Sequence, residues 1–196
     1  MQASKPDSAK SFIGGAQPRP LMENAMYVGI LALLGLIGTV IGLGVIGICV
    51  GWGFCFKWPI TWAVMSGVIG WIGTIIAVIG AGMVISMMSQ SLVGKMVSSE
   101  ETVTMASLAA TPALIAGILN IIPGIGSIIV FLAFLYSAVL FYMGSTVKFG
   151  QDKAIIVTIV YIAALIVITL IFGFIAGAVY APAMGIGPGV GYMGYY

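Results

Sequence analysis

Five long apolar stretches, separated by short polar or turn-forming segments, dominate the pattern of hydrophobic and polar positions along the chain. A helix needs roughly 20 apolar residues to cross about 30 Å of hydrocarbon, whereas barrel strands alternate over about 10 residues. The pattern therefore predicts an all-α, polytopic membrane helix bundle with five transmembrane helices. The approximate bounds of these spans are 26–50, 60–88, 103–122, 125–146 and 153–180.

The composition agrees with this prediction. The chain is 61% hydrophobic and 6% charged, with a mean hydropathy of +1.22, whereas soluble domains are about 25% charged. The net charge of +2 is spread over seven Lys and Arg residues without a basic block. We therefore expect membrane lipids, and no nucleic acid, as partners.

Two tails flank the apolar region. Residues 1–24 are a polar N-terminal tail without the apolar centre of a signal peptide, so we expect insertion to depend on the first span. Residues 25–180 are the five-span membrane domain, and residues 181–196 are a C-terminal tail rich in Gly and Tyr. We expect a single domain, because no stretch is left for a separate soluble one.

Lysine and arginine are distributed unevenly between the two sides of the predicted bundle. One side carries Lys57 alone, and the other carries Lys5, Lys10, Arg19, Lys95, Lys148 and Lys153. Because cytoplasmic flanks are enriched in these residues, we predict a multi-pass protein of the cell membrane. Its N-terminus is expected in the cytoplasm and its C-terminus outside.

The apolar run over residues 107–136 is broken at several points. Pro112 lies inside the third span and is expected to kink it, because proline removes one helical hydrogen bond. Pro123 and Gly124 favour a tight turn, since Gly accepts positive φ. The third and fourth spans are therefore predicted to form a proline-broken helical hairpin.

Polar residues mark both ends of the third span. Ser98, with Glu101 three residues later, is typical of a capping box at a helix start. Asn120 is a strongly polar residue near the other end. Its amide is expected either to hydrogen-bond across helices or to cap the backbone freed near Pro123.

The chain has few residues that could take part in catalysis. There is no His, and the acidic residues fall in tails or connections, namely Asp7, Glu23, Glu100, Glu101 and Asp152. Intramembrane ionisable groups usually mark proton relays and ion-coupled transporters. We therefore predict no catalytic residue, no metal ligand and no cofactor, although a passive pore stays possible.

Glycines are spaced in pairs along the first span. Gly38 with Gly42, and Gly47 with Gly51, form two GxxxG motifs, which let helix backbones approach closely in lipid. These pairs predict a helix interface, either within the bundle or with a partner. The alternative is that they arise by chance in a chain with 28 glycines.

Residues of the broken run and beyond resemble the Yip-domain family. The likeness covers about residues 75–174 and includes a TPxxxAGxxNxxP core, a later LY, a Y-x-G and a K-A that enters the last span. The first two spans match by hydropathy only. The residues that carry the likeness are Pro112, Gly117, Asn120, Pro123, Tyr136, Gly144 and Lys153.

The resemblance implies a five-span protein with a cytoplasmic N-terminus and a C-terminus on the far side. Eukaryotic members of the family are linked to small GTPases and vesicle traffic. The short N-terminal tail here shows no acidic GTPase-contacting region, so GTPase binding is not expected. Prokaryotic members are the closer likeness.

Three functions are compatible with these features. We predict a non-enzymatic integral membrane protein that organises membrane, or that binds other membrane proteins or copies of itself through small-residue helix faces. One alternative is an accessory subunit of a large membrane complex of respiratory or oxygenase type, with redox centres on other chains. The other alternative is a passive channel or transporter.

Overall fold

Five long helices form the bundle in the computed structural model, which describes residue 13 and residues 15–50, 54–122 and 124–180. These helices are α1 (Leu21–Thr39), α2 (Ile60–Val93), α3 (Ser99–Ala116), α4 (Ile125–Phe149) and α5 (Gln151–Tyr180). Helix α1 continues as a π-helix, Val40–Ile46, and α3 continues as a 3₁₀ helix, Gly117–Ile121. Each of the five is long and apolar enough to cross a membrane, which confirms the predicted all-α bundle.

The first span differs from its predicted bounds at both ends. It begins at Leu21, inside the segment assigned to the polar tail, and ends at Ile46 rather than at residue 50. Gly47, with φ of 83°, ends the helix because this backbone conformation is incompatible with a further helical turn.

A short β-hairpin follows the first span, where only helix and loop were expected. It consists of β1 (Ile48–Val50) and β2 (Phe54–Phe56), which pair antiparallel. The backbone register places Cys49 opposite Cys55. Isoleucine, valine and phenylalanine favour strands, so the local composition agrees with this structure once Gly47 has ended the helix.

Helix α3 is the central helix of the bundle. It packs against α1, α2 and α4, and every residue from Thr102 to Ala110 is buried. The other helices expose large apolar side chains along their outer faces, as expected for surfaces that meet lipid. The core of the bundle also joins α4 to α5, where the rings of Phe141 and Tyr161 stack with centroids 3.8 Å apart.

The start of α3 is held as the sequence predicts. The backbone N–H of Glu101 donates to Oγ of Ser98 at 3.3 Å, which confirms the capping interaction. The Glu101 carboxylate also forms an ion pair with Lys148 near the end of α4, at 3.1 Å. The first turn of α3 and the last turn of α4 therefore lie at the same end of the bundle.

The predicted hairpin between the third and fourth spans is present. The 3₁₀ helix ends at Ile121, and α4 begins at Ile125 after Gly124 with φ of 88°. Pro123 lies outside the described residues. Pro112 sits inside α3 without ending it, and the N–H of Ala113 donates across the bundle to Oγ of Ser137 on α4 at 3.3 Å.

Candidate functional site

Glycines of the first span meet the 3₁₀ helix that follows α3 at a contact that we call the glycine seam, formed by Gly35, Gly38 and Gly42 against residues 117–120. A Cβ on Gly38 would lie 2.5 Å from the carbonyl oxygen of Gly117. A Cβ on Gly42 would overlap the carbonyl oxygen of Asn120. The two backbones are therefore in direct contact, and only glycine fits at these two positions of the first span.

Of the two predicted GxxxG pairs, Gly38 with Gly42 belongs to the glycine seam, and Gly47 with Gly51 does not. Gly38 and Gly42 are buried inside the bundle, so their face is not available to a partner. The prediction that Gly47 and Gly51 form a second GxxxG pair on the helix is wrong at Gly47, because this residue follows the π-helix with φ of 83°. Gly51 lies outside the described residues.

A hydrogen-bonded layer joins the same two helices toward the other end of α1. The amide nitrogen of Asn24 donates to Oγ1 of Thr104 and to the carbonyl oxygen of Arg19, both at 3.0 Å. The hydroxyls of Tyr27 and Thr111 are hydrogen-bonded at 2.7 Å. Asn24 is only 1% exposed, so this layer is buried in the bundle. One half of the interface between the first and third spans is therefore hydrogen-bonded, and the other half is the glycine seam.

The structure brings together only some of the family-motif residues. Gly117 and Asn120 both belong to the glycine seam, and Pro112 lies one to two turns before them on α3. The others lie apart: Tyr136 is exposed on α4, Gly144 packs against Ile13 and Met105, and Lys153 is exposed near the start of α5.

The Asn120 side chain makes neither of the two interactions predicted from the sequence. Its side chain forms no hydrogen bond with the described part of the chain, so it neither bridges helices nor caps backbone there. Instead, the backbone carbonyl oxygen of Asn120 packs on Gly42, and the residue lines a cavity.

This intramembrane cavity has a volume of about 260 Å³ and lies among α1, α2, the end of α3 and α4. It is partly open to the surroundings of the bundle. Small, hydroxyl-bearing and amide side chains form much of its wall, with one indole; these residues are Gly35, Thr39, Ser66, Gly70, Trp71, Thr74, Gly117 and Asn120. Within the part of the chain that the structure describes, none of the residues that line it is charged.

The polar groups of the cavity differ with depth. Ser66 lies about 9 Å from the start of α2 and Thr74 about 21 Å from it, at 1.5 Å per helical residue. The Thr74 hydroxyl donates to the carbonyl oxygen of Gly70, and the indole N–H of Trp71 donates to that of Gly29, both at 2.8 Å. The deeper polar groups are therefore satisfied by protein.

The shallower polar groups are not satisfied in this way. Thr39, Ser66 and Asn120 have no side-chain hydrogen bond to any residue that the structure describes. They come from three elements and lie near the same end of the bundle, because Ile46, Ile60 and Ile121 all end or begin helices there. At the shallow end of the cavity, the polar side chains therefore lack hydrogen-bond partners among the described residues. At the deep end, the wall is more apolar and its polar groups are hydrogen-bonded.

Sequence reasoning missed this cavity. The available signal was the spacing of Ser66, Gly70 and Thr74, which recur every four residues and so share one face of α2. This spacing predicts a small-residue face, but the opposing walls come from segments far apart in the chain.

Comparisons of the chain with protein-family models, with curated proteins and with solved structures find no match. The resemblance to the Yip-domain family stays a prediction.

Proposed function

We propose that the protein is a non-enzymatic integral membrane protein that organises membrane or binds other membrane proteins at the α2 face bordering the intramembrane cavity. One observation carries this proposal. A Cβ added to Gly70 would meet nothing within 4 Å, although Gly70 lines the cavity. Small residues favour close approach of another molecule in lipid, where packing rather than hydrophobicity drives association.

The glycine seam explains why this face is preferred over the GxxxG face of α1. A Cβ on Gly38 or Gly42 would strike backbone of residues 117–120, so that surface is already occupied by the chain itself. On α2, by contrast, Ser66 and Thr74 flank Gly70 along the same face and border open space.

The positions of the carboxylates support a non-enzymatic role. Glu23, Glu101 and Asp152 lie in the first turns of α1, α3 and α5. Negative charge there interacts favourably with the positive end of the helix dipole. These side chains therefore have a structural role that needs no substrate.

We also propose that the protein lies in the cell membrane with its N-terminus in the cytoplasm. Lys95 follows α2 and Lys148 is in the last turn of α4, at the end where α1 begins. Lys57 precedes α2 at the opposite end. The excess of basic residues at the first end supports this orientation.

A photocrosslinking experiment tests the proposed surface. A photoreactive amino acid replaces Ser66, which borders the cavity, or Leu170, which is 66% exposed on α5. After irradiation in native membranes, mass spectrometry identifies the adducts. We expect residue 66 to give a discrete lipid or protein adduct and residue 170 to give only bulk lipid.

Leucine substitutions provide the matched control. A Cβ at Gly70 or at Gly173 on α5 meets nothing within 4 Å, so neither Gly70→Leu nor Gly173→Leu forces a Cβ against neighbouring backbone. Gly70→Leu should abolish the discrete adduct of residue 66, and Gly173→Leu should not. Identical adduct patterns at residues 66 and 170 would rule out a specific surface.

A further inference from the structure

Three side chains at the shallow end of the intramembrane cavity lack hydrogen-bond partners within the described ranges: Thr39, Ser66 and Asn120. All three side chains are partly buried, and polar groups that become covered by lipid are unfavourable without partners. Two hydroxyls and one primary amide together offer both donors and acceptors. A molecule with hydroxyl or ester oxygens would therefore satisfy all three.

The cavity wall restricts the charge of that molecule. Among the described residues, no Lys, Arg, His, Asp or Glu belongs to the lining, so an ionised group inside the cavity would have no counter-ion there in a medium of low polarity. The part of the ligand that enters the cavity is therefore uncharged.

The depth profile gives the ligand a direction. Its polar part meets Ser66 and Asn120 at the shallow end. The deeper wall consists of Ala32, Leu114, Trp71 and Thr74, and the polar groups of the last two are already hydrogen-bonded to backbone carbonyl oxygens. An amphiphile with its polar part toward the end that carries Lys57 matches this profile. That is the orientation of a lipid in the leaflet at that end.

The size of the cavity sets how much of the ligand it holds. At about 260 Å³ it is smaller than the roughly 300–1,000 Å³ of pockets that enclose whole drug-sized ligands. It is also partly open. The polar part of a lipid and the first methylenes of its chains fit inside, and the remaining chain lies in the bilayer.

We infer that the intramembrane cavity binds the glycerol-ester region of a membrane lipid, held by hydrogen bonds from Thr39, Ser66 and Asn120. This inference rests on the proposed function and names the ligand of the same surface. The glycerol-ester group occurs both in diacylglycerol and in phospholipids, whose phosphate would extend out of the cavity toward the end that carries Lys57.

The test uses the purified full-length protein in a maltoside detergent, which carries no glycerol ester, with one of two photoreactive probes. One probe is diacylglycerol and the other is phosphatidylglycerol, each with a diazirine on an acyl chain. We expect saturable labelling of the α2 segment 60–80 and of the segment 113–122, which unlabelled probe lipid displaces. The probe with the stronger saturable labelling identifies the source of the glycerol-ester group.

Substitutions then locate the site. Gly70→Leu fills the cavity and should remove the saturable labelling, whereas Gly173→Leu should leave it unchanged. Ser66→Ala combined with Asn120→Leu should weaken probe binding about tenfold, which corresponds to 1.4 kcal/mol. Ser66→Ala alone removes a single hydroxyl and serves as a second variant if the double variant unfolds in detergent.

The outcomes separate this inference from the proposed function. Labelling that is unsaturable, or that Gly70→Leu leaves intact, overturns the lipid site. If residue 66 still crosslinks to a protein in native membranes in a Gly70-dependent way, the proposed function stands and only the lipid inference fails. If residue 66 gives neither a specific lipid adduct nor a specific protein adduct, both fail.

Discussion

The carbonyl oxygen of Gly117 lies so close to the α-carbon of Gly38 that a Cβ on Gly38 would stand 2.5 Å from it. This contact joins two motifs that are far apart in sequence, the GxxxG of the first span and the break at the end of the third. The close approach brings carbonyl oxygens against glycine α-carbons, an arrangement that weak Cα–H···O contacts stabilise. The glycine seam is therefore a tertiary contact and not a surface for partners.

Alanine at Gly38 should destabilise the bundle. The added methyl group must displace backbone, and overpacking of this kind typically costs about 1–3 kcal/mol. Gly70→Ala is the control because its Cβ meets open space. Thermal unfolding in detergent should show a lower midpoint for Gly38→Ala only, and equal midpoints for both variants would contradict the seam.

Ser137→Ala should loosen the helix around Pro112. The Ser137 hydroxyl accepts the N–H of Ala113, and such interhelical bonds in lipid contribute about 1 kcal/mol. Hydrogen exchange at the Ala113 amide should become faster. Ser127→Ala, which removes an exposed hydroxyl bonded within its own turn, should leave that exchange rate unchanged.

Thr104→Val should weaken the polar layer between α1 and α3. The substitution leaves the buried Asn24 amide and the Arg19 N–H without their shared acceptor, and such a loss costs about 1–3 kcal/mol. A double-mutant cycle with Asn24→Leu should show a coupling free energy of unfolding. Thr158→Val, whose hydroxyl bonds within α5, should be additive with Asn24→Leu.

Lys148→Gln should have a small effect. The ion pair with Glu101 is partly exposed, with side chains 18% and 33% accessible, and such pairs contribute about 0–1 kcal/mol. Added salt should narrow the difference in stability between wild type and variant. A large loss of stability that salt does not change would show that Lys148 has a different role.

Cysteine labelling tests the proposed orientation. In a background with Cys49→Ala and Cys55→Ala, Lys57→Cys or Lys95→Cys supplies one thiol at either end of α2. A membrane-impermeant maleimide added to intact cells should label residue 57, and residue 95 only after permeabilisation. The reverse pattern would place the N-terminus outside.

Local features of the fold followed from the sequence. The five spans, the Ser98 cap and the turn at Gly124 each depend on a few neighbouring residues, through apolar length, a side-chain oxygen or a positive φ. The predicted end of the first span, at residue 50, was wrong because it depends on the backbone conformation of one glycine. Gly47 could continue a helix or end it, and only the backbone of the folded chain shows the φ of 83° that ends it.

The position of α3 at the centre of the bundle was harder to predict from the sequence. Its hydropathy is the lowest of the five spans, and its run of Ala, Ser and Thr from Thr102 onward was a usable signal. Small side chains permit close neighbours on every side. The sequence does not say which helices those neighbours are.

The sequence by itself determined that this chain forms five apolar helices with a break before residue 125, because hydrocarbon thickness and backbone hydrogen bonding act on each segment separately. Only the tertiary structure decided that Gly38 and Gly42 seal against the 3₁₀ turn. It alone also placed Thr39, Ser66 and Asn120 around one cavity. Those relationships depend on how three segments, distant in the chain, pack in space, and helix packing in lipid follows side-chain shape rather than a readable hydrophobic pattern.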